Sequence, residues 1–326
     1  GLFGWLALLA GALAALFLTV RTPDIPADVL EMRYGSAASQ FVELAPGFRV
    51  HLRDEGPRDA PALLLVHGSN ASLHTWEPWV AALSGRFRVV TLDLQGHGLT
   101  GLHPEGCYSG ECMAATVEAA RAYLGIERMA IGGNSMGGGV SIRYALQHPE
   151  RVTALLLVDS AGAQIDPGRP PPVGFRIAGM PIVRELATVV TPRAMIERSL
   201  EQSTSVKAAA SPEKVDRYWE LLRYPGNRAA TIARFGTPQQ PITAEMLAQL
   251  KDIPTLILWG REDRLFPPAA ADWFKAAIPS ADMMVYDGIG HIPQEEAPER
   301  SAADVARFLD RVTPPRDRLL ELQTAA

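Results

Sequence analysis

The chain has 326 residues, an ordinary charged fraction of 21% and a mild net charge of −5, with apolar residues enough for one large α/β domain or two smaller ones. No block of Lys or Arg stands out, which excludes a nucleic-acid footprint. Only Cys107 and Cys112 are present, too few for a structural zinc site, which takes four ligands.

Residues 1–20 contain no charge and are mostly Leu, Ala, Phe, Gly and Trp. A helix of about 20 residues matches the thickness of the bilayer hydrocarbon core, so the run predicts a transmembrane anchor that ends at Arg21. A cleaved signal peptide is the competing reading. It fits less well, because the Ala-x-Ala triplets lie inside the run and none follows its end. Residues 21–39 carry Pro, Asp and Ser and read as a linker.

Strands and helices alternate from there. Residues 41–44 and 48–52 flank the turn signal Pro46-Gly47 and predict a strand pair. The apolar run 62–66 is of strand length and reads as a strand buried on both faces. Further strands are expected at 87–92, 129–131, 154–158, 255–259 and 283–286, with helices at 76–83, 113–124, 138–148, 269–277 and 299–312. This alternation predicts an α/β class protein with a mostly parallel central sheet and helices on both faces. The rhythm breaks over 163–250, where only Pro-punctuated helical patches appear. That segment reads as a helical cap, leaving 40–162 and 251–314 as the core and 315–326 as a tail. Cys107 and Cys112 either close a disulfide, which implies an oxidising compartment, or stand as two separate thiols.

The chemistry concentrates after the 129–131 strand, in Gly133-Asn134-Ser135-Met136-Gly137-Gly138 followed by a helix. Gly-x-Ser-x-Gly on a strand-to-helix turn is a nucleophile elbow. The serine sits on a strained turn, so its neighbours two residues away must lack side chains, and the following helix N-terminus faces developing negative charge. A dinucleotide fingerprint and a phosphate-binding P-loop both fail here: one lacks its glycine spacing, the other its lysine.

With these residues in place, the stretch from about 41 to about 312 resembles the α/β-hydrolase superfamily, and the elbow resembles those of serine esterases, lipases and carbon–carbon bond hydrolases. The resemblance implies the α/β-hydrolase fold and the chain order serine, acid, histidine. His291, in the Gly-flanked loop after the last strand, is then the general base. Asp263, just past the penultimate strand, is its orienting acid, with Asp159 at the end of the 154–158 strand as the rival. Backbone N–H groups of Ser69 and Met136 are implied as the oxyanion hole, and His67 and the turn Asp93–Gly98 as structural. Ser135 in place of Asp argues against epoxide hydrolase and dehalogenase chemistry. An acyl-enzyme mechanism needs no metal and no organic cofactor.

The layout of apolar helix, linker and capped hydrolase is similar to membrane-anchored monoacylglycerol lipases. It implies lipophilic acyl esters as substrates; the apolar run makes the bilayer a partner through residues 1–20, and the disulfide reading of Cys107 and Cys112 would place the catalytic domain toward the periplasm or exterior. Apolar cap residues Phe175, Ile177, Met180, Ile182, Val183 and Leu186 are candidates to receive an acyl chain. Two alternatives stand beside this reading. One is a carbon–carbon hydrolase of the ring-cleavage-product type, which usually carries a His-Gly-Gly-Gly loop and a Trp after the catalytic His, where this chain has Ser69, Asn70 and Ile292. The other is a catalytically silent binding protein.

Overall fold

The structure, a computed structural model, describes residues 2–166, 168, 170–171, 173–178, 180 and 185–313. Eight strands form one sheet in the order β1-β2-β4-β3-β5-β6-β7-β8. They are β1 (Ser39–Ala45), β2 (Phe48–Glu55), β3 (Ala62–Val66), β4 (Arg88–Leu92), β5 (Met129–Asn134), β6 (Val152–Val158), β7 (Thr255–Gly260) and β8 (Asp282–Tyr286). β2 pairs antiparallel with β1 and with β4, and every other pairing is parallel.

The continuous apolar runs follow from burial on both faces. Leu64, Val66, Leu155, Leu157, Ile257 and Trp259 feed one core. Their chain neighbours Leu63, Leu65, Leu156, Val158, Leu256 and Leu258 feed the other. Side chains alternate across a strand, so a central strand covered on both sides has no position left for a polar residue. The first core is closed by helices α4 (Gly110–Tyr123), α5 (Met136–Gln147) and α11 (Ala269–Ala277), through Val117, Val140 and Phe274. The second is closed by α3 (Glu77–Leu83) and α12 (Pro298–Val312), through Trp79 and Phe308. Trp79 Nε1 donates to Ser301 Oγ at 2.8 Å, which joins those two helices.

Between β6 and β7 the described chain is helical, with α6 (Val173–Ala178), α7 (Arg193–Ser203), α8 (Pro212–Leu222), α9 (Asn227–Gly236) and α10 (Ala244–Ala248). Ser211 and Thr243 cap α8 and α10, each accepting a backbone N–H from the first turn. Of the apolar residues considered for an acyl chain, Ile182, Val183 and the side chain of Phe175 lie outside the described residues, as do Gly1 and the tail 315–326. Ile177 is partly buried, and Met180 and Leu186 are exposed.

Two N-terminal expectations change. The transmembrane span over residues 1–20 is not found: among the described residues no helix is long and apolar enough to cross a membrane. What forms is α1 (Leu2–Val20), 19 residues long. Its described side chains are exposed, Phe3 at 87% and Trp5 at 74%. The segment that follows is more than a connector. It holds α2 (Ala27–Tyr34), whose buried Leu30 clusters with Leu221 and Tyr224 of the cap region. Thr22 N–H donates to Val189 O at 2.8 Å, Ile25 N–H to Arg223 O at 2.8 Å, and Arg228 Nη2 to Asp24 Oδ1 at 2.6 Å. A disulfide ties Cys107, in the loop before α4, to Cys112 in the first turn of that helix.

Candidate active site

Ser135 stands between β5 and α5 with φ 54° and ψ −119°, a left-handed conformation that a residue with a side chain adopts only under compulsion. The compulsion is steric. A Cβ on Gly133 would lie 2.2 Å from Gly137 C, and one on Gly137 would lie 2.1 Å from Val66 O, so both positions admit only glycine. Ser135 N–H is tied to Val158 O at 3.0 Å, and Ser135 O accepts from Gly138 and Ala161. The side chain is pushed up at the carboxyl ends of β5 and β6. Met136 opens α5, where the first N–H groups have no carbonyl one turn back. Neither its N–H nor that of Ser69 bonds to another described residue. Gly68, next to Ser69, lies against Ser135: a Cβ there would be 3.3 Å from Ser135 Cβ.

His291 and Asp263 come together from separate loops. His291 Nδ1 lies 2.7 Å from Asp263 Oδ2, and since a carboxylate only accepts, Nδ1 carries the proton. Both residues are buried, at 6% and 3% exposure. Asp263 Oδ1 accepts the N–H groups of Leu265 (2.7 Å) and Phe266 (3.1 Å), which fixes the carboxylate, and the Phe266 ring meets the imidazole edge-on at 5.5 Å. His291 and Ser135 line one narrow cavity of about 90 Å³, and Ser135 and Met136 also line a larger one of about 690 Å³. No direct hydrogen bond joins Ser135 Oγ to the imidazole here, as is common before substrate is bound.

Asp159 joins this pair rather than replacing it. Fully buried with φ 42°, it accepts the Gly260 N–H through Oδ1 at 2.9 Å, and its Oδ2 has no donor. One donor atom each of Asp159, Asp263 and His291 lie within 4.8 Å of one another. Burial first, and then the neighbouring Asp263 charge, push the Asp159 carboxyl well above the ordinary range. A protonated Asp159 gives its orphaned oxygen a role as donor toward Asp263.

Two residues to which the sequence assigned no role, one of them inside the elbow motif, hold the loop of His291. Asn134 Nδ2 donates to Val158 O (3.1 Å) and to His291 O (2.9 Å), tying the elbow to the loop. Glu296, buried, accepts four backbone N–H groups: Gly290 and Ile292 on either side of His291, and Ser205 and Val206 of the cap. His67 is a brace. Leu94 N–H donates to its Nε2 (3.0 Å), Nδ1 lies 2.7 Å from Gly68 O, and burial keeps its pKa low and the ring neutral. A second serine–histidine–aspartate run also exists, with His51 between Ser39 Oγ (2.7 Å) and Asp93 Oδ2 (2.7 Å). Ser39 lines neither cavity at Ser135. Asp93 also accepts Leu73 and Leu99 N–H, so this run staples loops to the sheet.

An alternating sheet with a strained serine at the turn after its fifth strand, faced by a buried acid–imidazole pair, defines a hydrolase of the α/β class. Residues 61–298 match the family model of the alpha/beta hydrolase fold, and the chain belongs to that family. It is 32% identical to a 2-hydroxymuconate semialdehyde hydrolase of Pseudomonas putida over 82% of this chain and 92% of that one. It is 27% identical to Lipase 1 of Psychrobacter immobilis over 81% and 82%. Among solved structures, a bacterial membrane phospholipase A superposes with a TM-score of 0.70 at 25% identity, covering 96% of this chain and 98% of that one.

Proposed function

We propose that the protein is a serine hydrolase of lipophilic carboxylic esters. Ser135 attacks the ester carbonyl, His291 takes the hydroxyl proton through Nε2 and returns it to the leaving alcohol, and Asp263 holds the imidazole in the required tautomer. The tetrahedral oxyanion sits on the N–H groups of Ser69 and Met136, and water releases the acid from the acyl-enzyme. The observation that carries this reading is the buried His291–Asp263 contact sharing a cavity with a serine held in a forbidden backbone region. The similarity to lipases, and to a membrane phospholipase in fold and length, supports the ester class.

A fluorophosphonate probe should label Ser135, and Ser135→Ala should lose labelling and at least about 10⁴-fold in kcat while melting like the parent. Unchanged turnover in that variant removes the assignment. Absence of labelling in the parent favours a silent binding protein. The second reading, carbon–carbon hydrolysis of a vinylogous diketone, draws on the 32% identity to the semialdehyde hydrolase. Cleavage of such a diketone without ester turnover would replace the first.

The α1 helix is apolar all round and exposed, and such a helix needs a cover. Lying against a lipid surface supplies one, and the Cys107–Cys112 disulfide suits the oxidising side of a membrane. Sedimentation with phosphatidylglycerol vesicles should be lost on deleting residues 1–20. Equal sedimentation of both forms rejects the lipid contact.

A further inference from the structure

Arg234 lies on cap helix α9 and lines the same 690 Å³ cavity as Ser135 and Met136. Its Nη2 donates to Ser69 Oγ, on the loop that carries the proposed oxyanion donor, and its guanidinium stacks over the Phe235 ring at 4.4 Å. Its Nε–H is buried with no acceptor. The neighbouring arginines are answered by acids: Arg143 by Glu111, Arg193 by Asp216, Arg217 by Glu77 and Arg228 by Asp24. Among the described residues no carboxylate answers Arg234, and the described lining of the cavity contains no Asp or Glu. Burial lowers its pKa to about 10, so it stays charged at neutral pH. The same charge disfavours protonation of His67 and His97 behind the loop. A half-buried guanidinium with an unanswered Nε–H and no counter-ion is unfavourable, and its planar fork suits a carboxylate or phosphate.

We propose that Arg234 is the docking point for an anionic group, a carboxylate or a phosphate, carried by the ester substrate. Fixed to Ser69, the guanidinium places that group beside the oxyanion hole, while Met113, Val140, Ile242 and Phe266 offer apolar wall to the chain. The substrate class is therefore an amphiphile with its charge close to the scissile ester. This assignment rests on the serine-hydrolase reading above.

The test compares matched esters: 4-nitrophenyl hexanoate against the mono-4-nitrophenyl ester of adipic acid, and a monoacylglycerol against its glycerol-phosphate counterpart. The readout is the ratio of kcat/KM, anionic over neutral, in which the folded fraction cancels. Arg234→Gln should lower that ratio about 10- to 100-fold, the worth of a charge-assisted hydrogen bond or two, and Arg234→Lys should fall between. Loss confined to the adipate pair assigns a carboxylate, and loss confined to the glycerol-phosphate pair assigns a phosphate. A ratio unchanged in both pairs overturns the proposal, whether or not overall activity drops, and leaves Arg234 as a support of the Ser69 loop. Should Arg234→Gln not fold, competition in the parent enzyme decides. Hexyl phosphate or heptanoate should inhibit neutral-ester turnover at least tenfold more tightly than hexanol, and equal inhibition overturns the proposal. A parent that turns over no ester and resists the fluorophosphonate probe removes the hydrolase reading itself; turnover with an unchanged ratio removes the Arg234 assignment alone.

Discussion

Replacing Glu296 asks whether one buried carboxylate keeps the imidazole loop in register. Oε2 accepts from Ser205 (2.7 Å), Gly290 (3.0 Å) and Val206 (3.1 Å), and Oε1 from Ile292 (3.1 Å). A buried donor stripped of its acceptor costs about 1–3 kcal/mol, and a bond to a charged group contributes about 1.5–3 kcal/mol. Glu296→Ala orphans four donors. Water entering the vacated space will satisfy some of them, so a loss of about 3–5 kcal/mol is expected, a large share of a typical 5–15 kcal/mol. Glu296→Gln can leave an oxygen where three of the bonds converge, but its amide then meets the Ile292 N–H donor to donor, a cost of about 1–3 kcal/mol. Urea unfolding should report both as lower midpoints at unchanged m-value. Because two of the bonded N–H groups, Gly290 and Ile292, flank His291, the Gln variant should lose kcat about tenfold with little change in KM. If Glu296→Ala unfolds within 1 kcal/mol of the parent and keeps kcat within twofold, the carboxylate does not hold the loop and the reasoning fails.

Asp159 makes stability depend on pH with a defined sign. Its carboxyl is raised when folded, so between the ordinary value near 3.9 and the raised one the folded state keeps a proton that the unfolded chain has released. Stability is therefore full below that window and falls by about 1.4 kcal/mol per pH unit as pH rises through it. Asp159→Asn cannot titrate, and it should gain on the parent as pH rises above about 4; parallel curves would contradict a raised Asp159 carboxyl. Within one glycine run the two outcomes should split. Gly137→Ala drives a Cβ to 2.1 Å from Val66 O and should cost about 3 kcal/mol or more, or all soluble yield. Gly139→Ala finds its nearest atom at 3.5 Å and should melt at or above the parent. Removing the disulfide with paired Ser substitutions opens a loop of sequence separation 5 and should cost about 2 kcal/mol by the loop-entropy relation, read as a lower urea midpoint.

What could be read from the chain was local. The runs that became β3 and β7, and the helix Ala269–Ala277, show themselves because burial on one or both faces writes a period into adjacent residues. The glycines around Ser135 do the same, since the collision they avoid is with atoms a few residues away or on the next strand. Asp263 was expected from the family resemblance, with Asp159 as the rival, rather than from any local pattern, and it is the carboxylate that meets His291. Asn134, Glu296 and Arg234 were not legible, because each acts through a partner far along the chain: 157 residues to His291, 91 to Ser205 and 165 to Ser69. Residues 21–39 read as a linker from Pro, Asp and Ser, yet their acceptors at Val189 and Arg223 leave no trace in local composition. The span expected over residues 1–20 was read from hydropathy alone, and among the described residues no helix is long and apolar enough to cross a membrane.

The stitching of that segment has a mechanical consequence. Thr22, Asp24, Ile25 and Tyr34 bond to residues 189, 228, 223 and 220, all on the far side of β6 from the elbow in sequence. A pull on α1 thus meets residues 189, 223 and 228 before it reaches the Glu31–Arg49 and Tyr34–Arg53 contacts that tie the same segment to β2. A load on α1 therefore bears on the helical stretch between β6 and β7 before it bears on the strands.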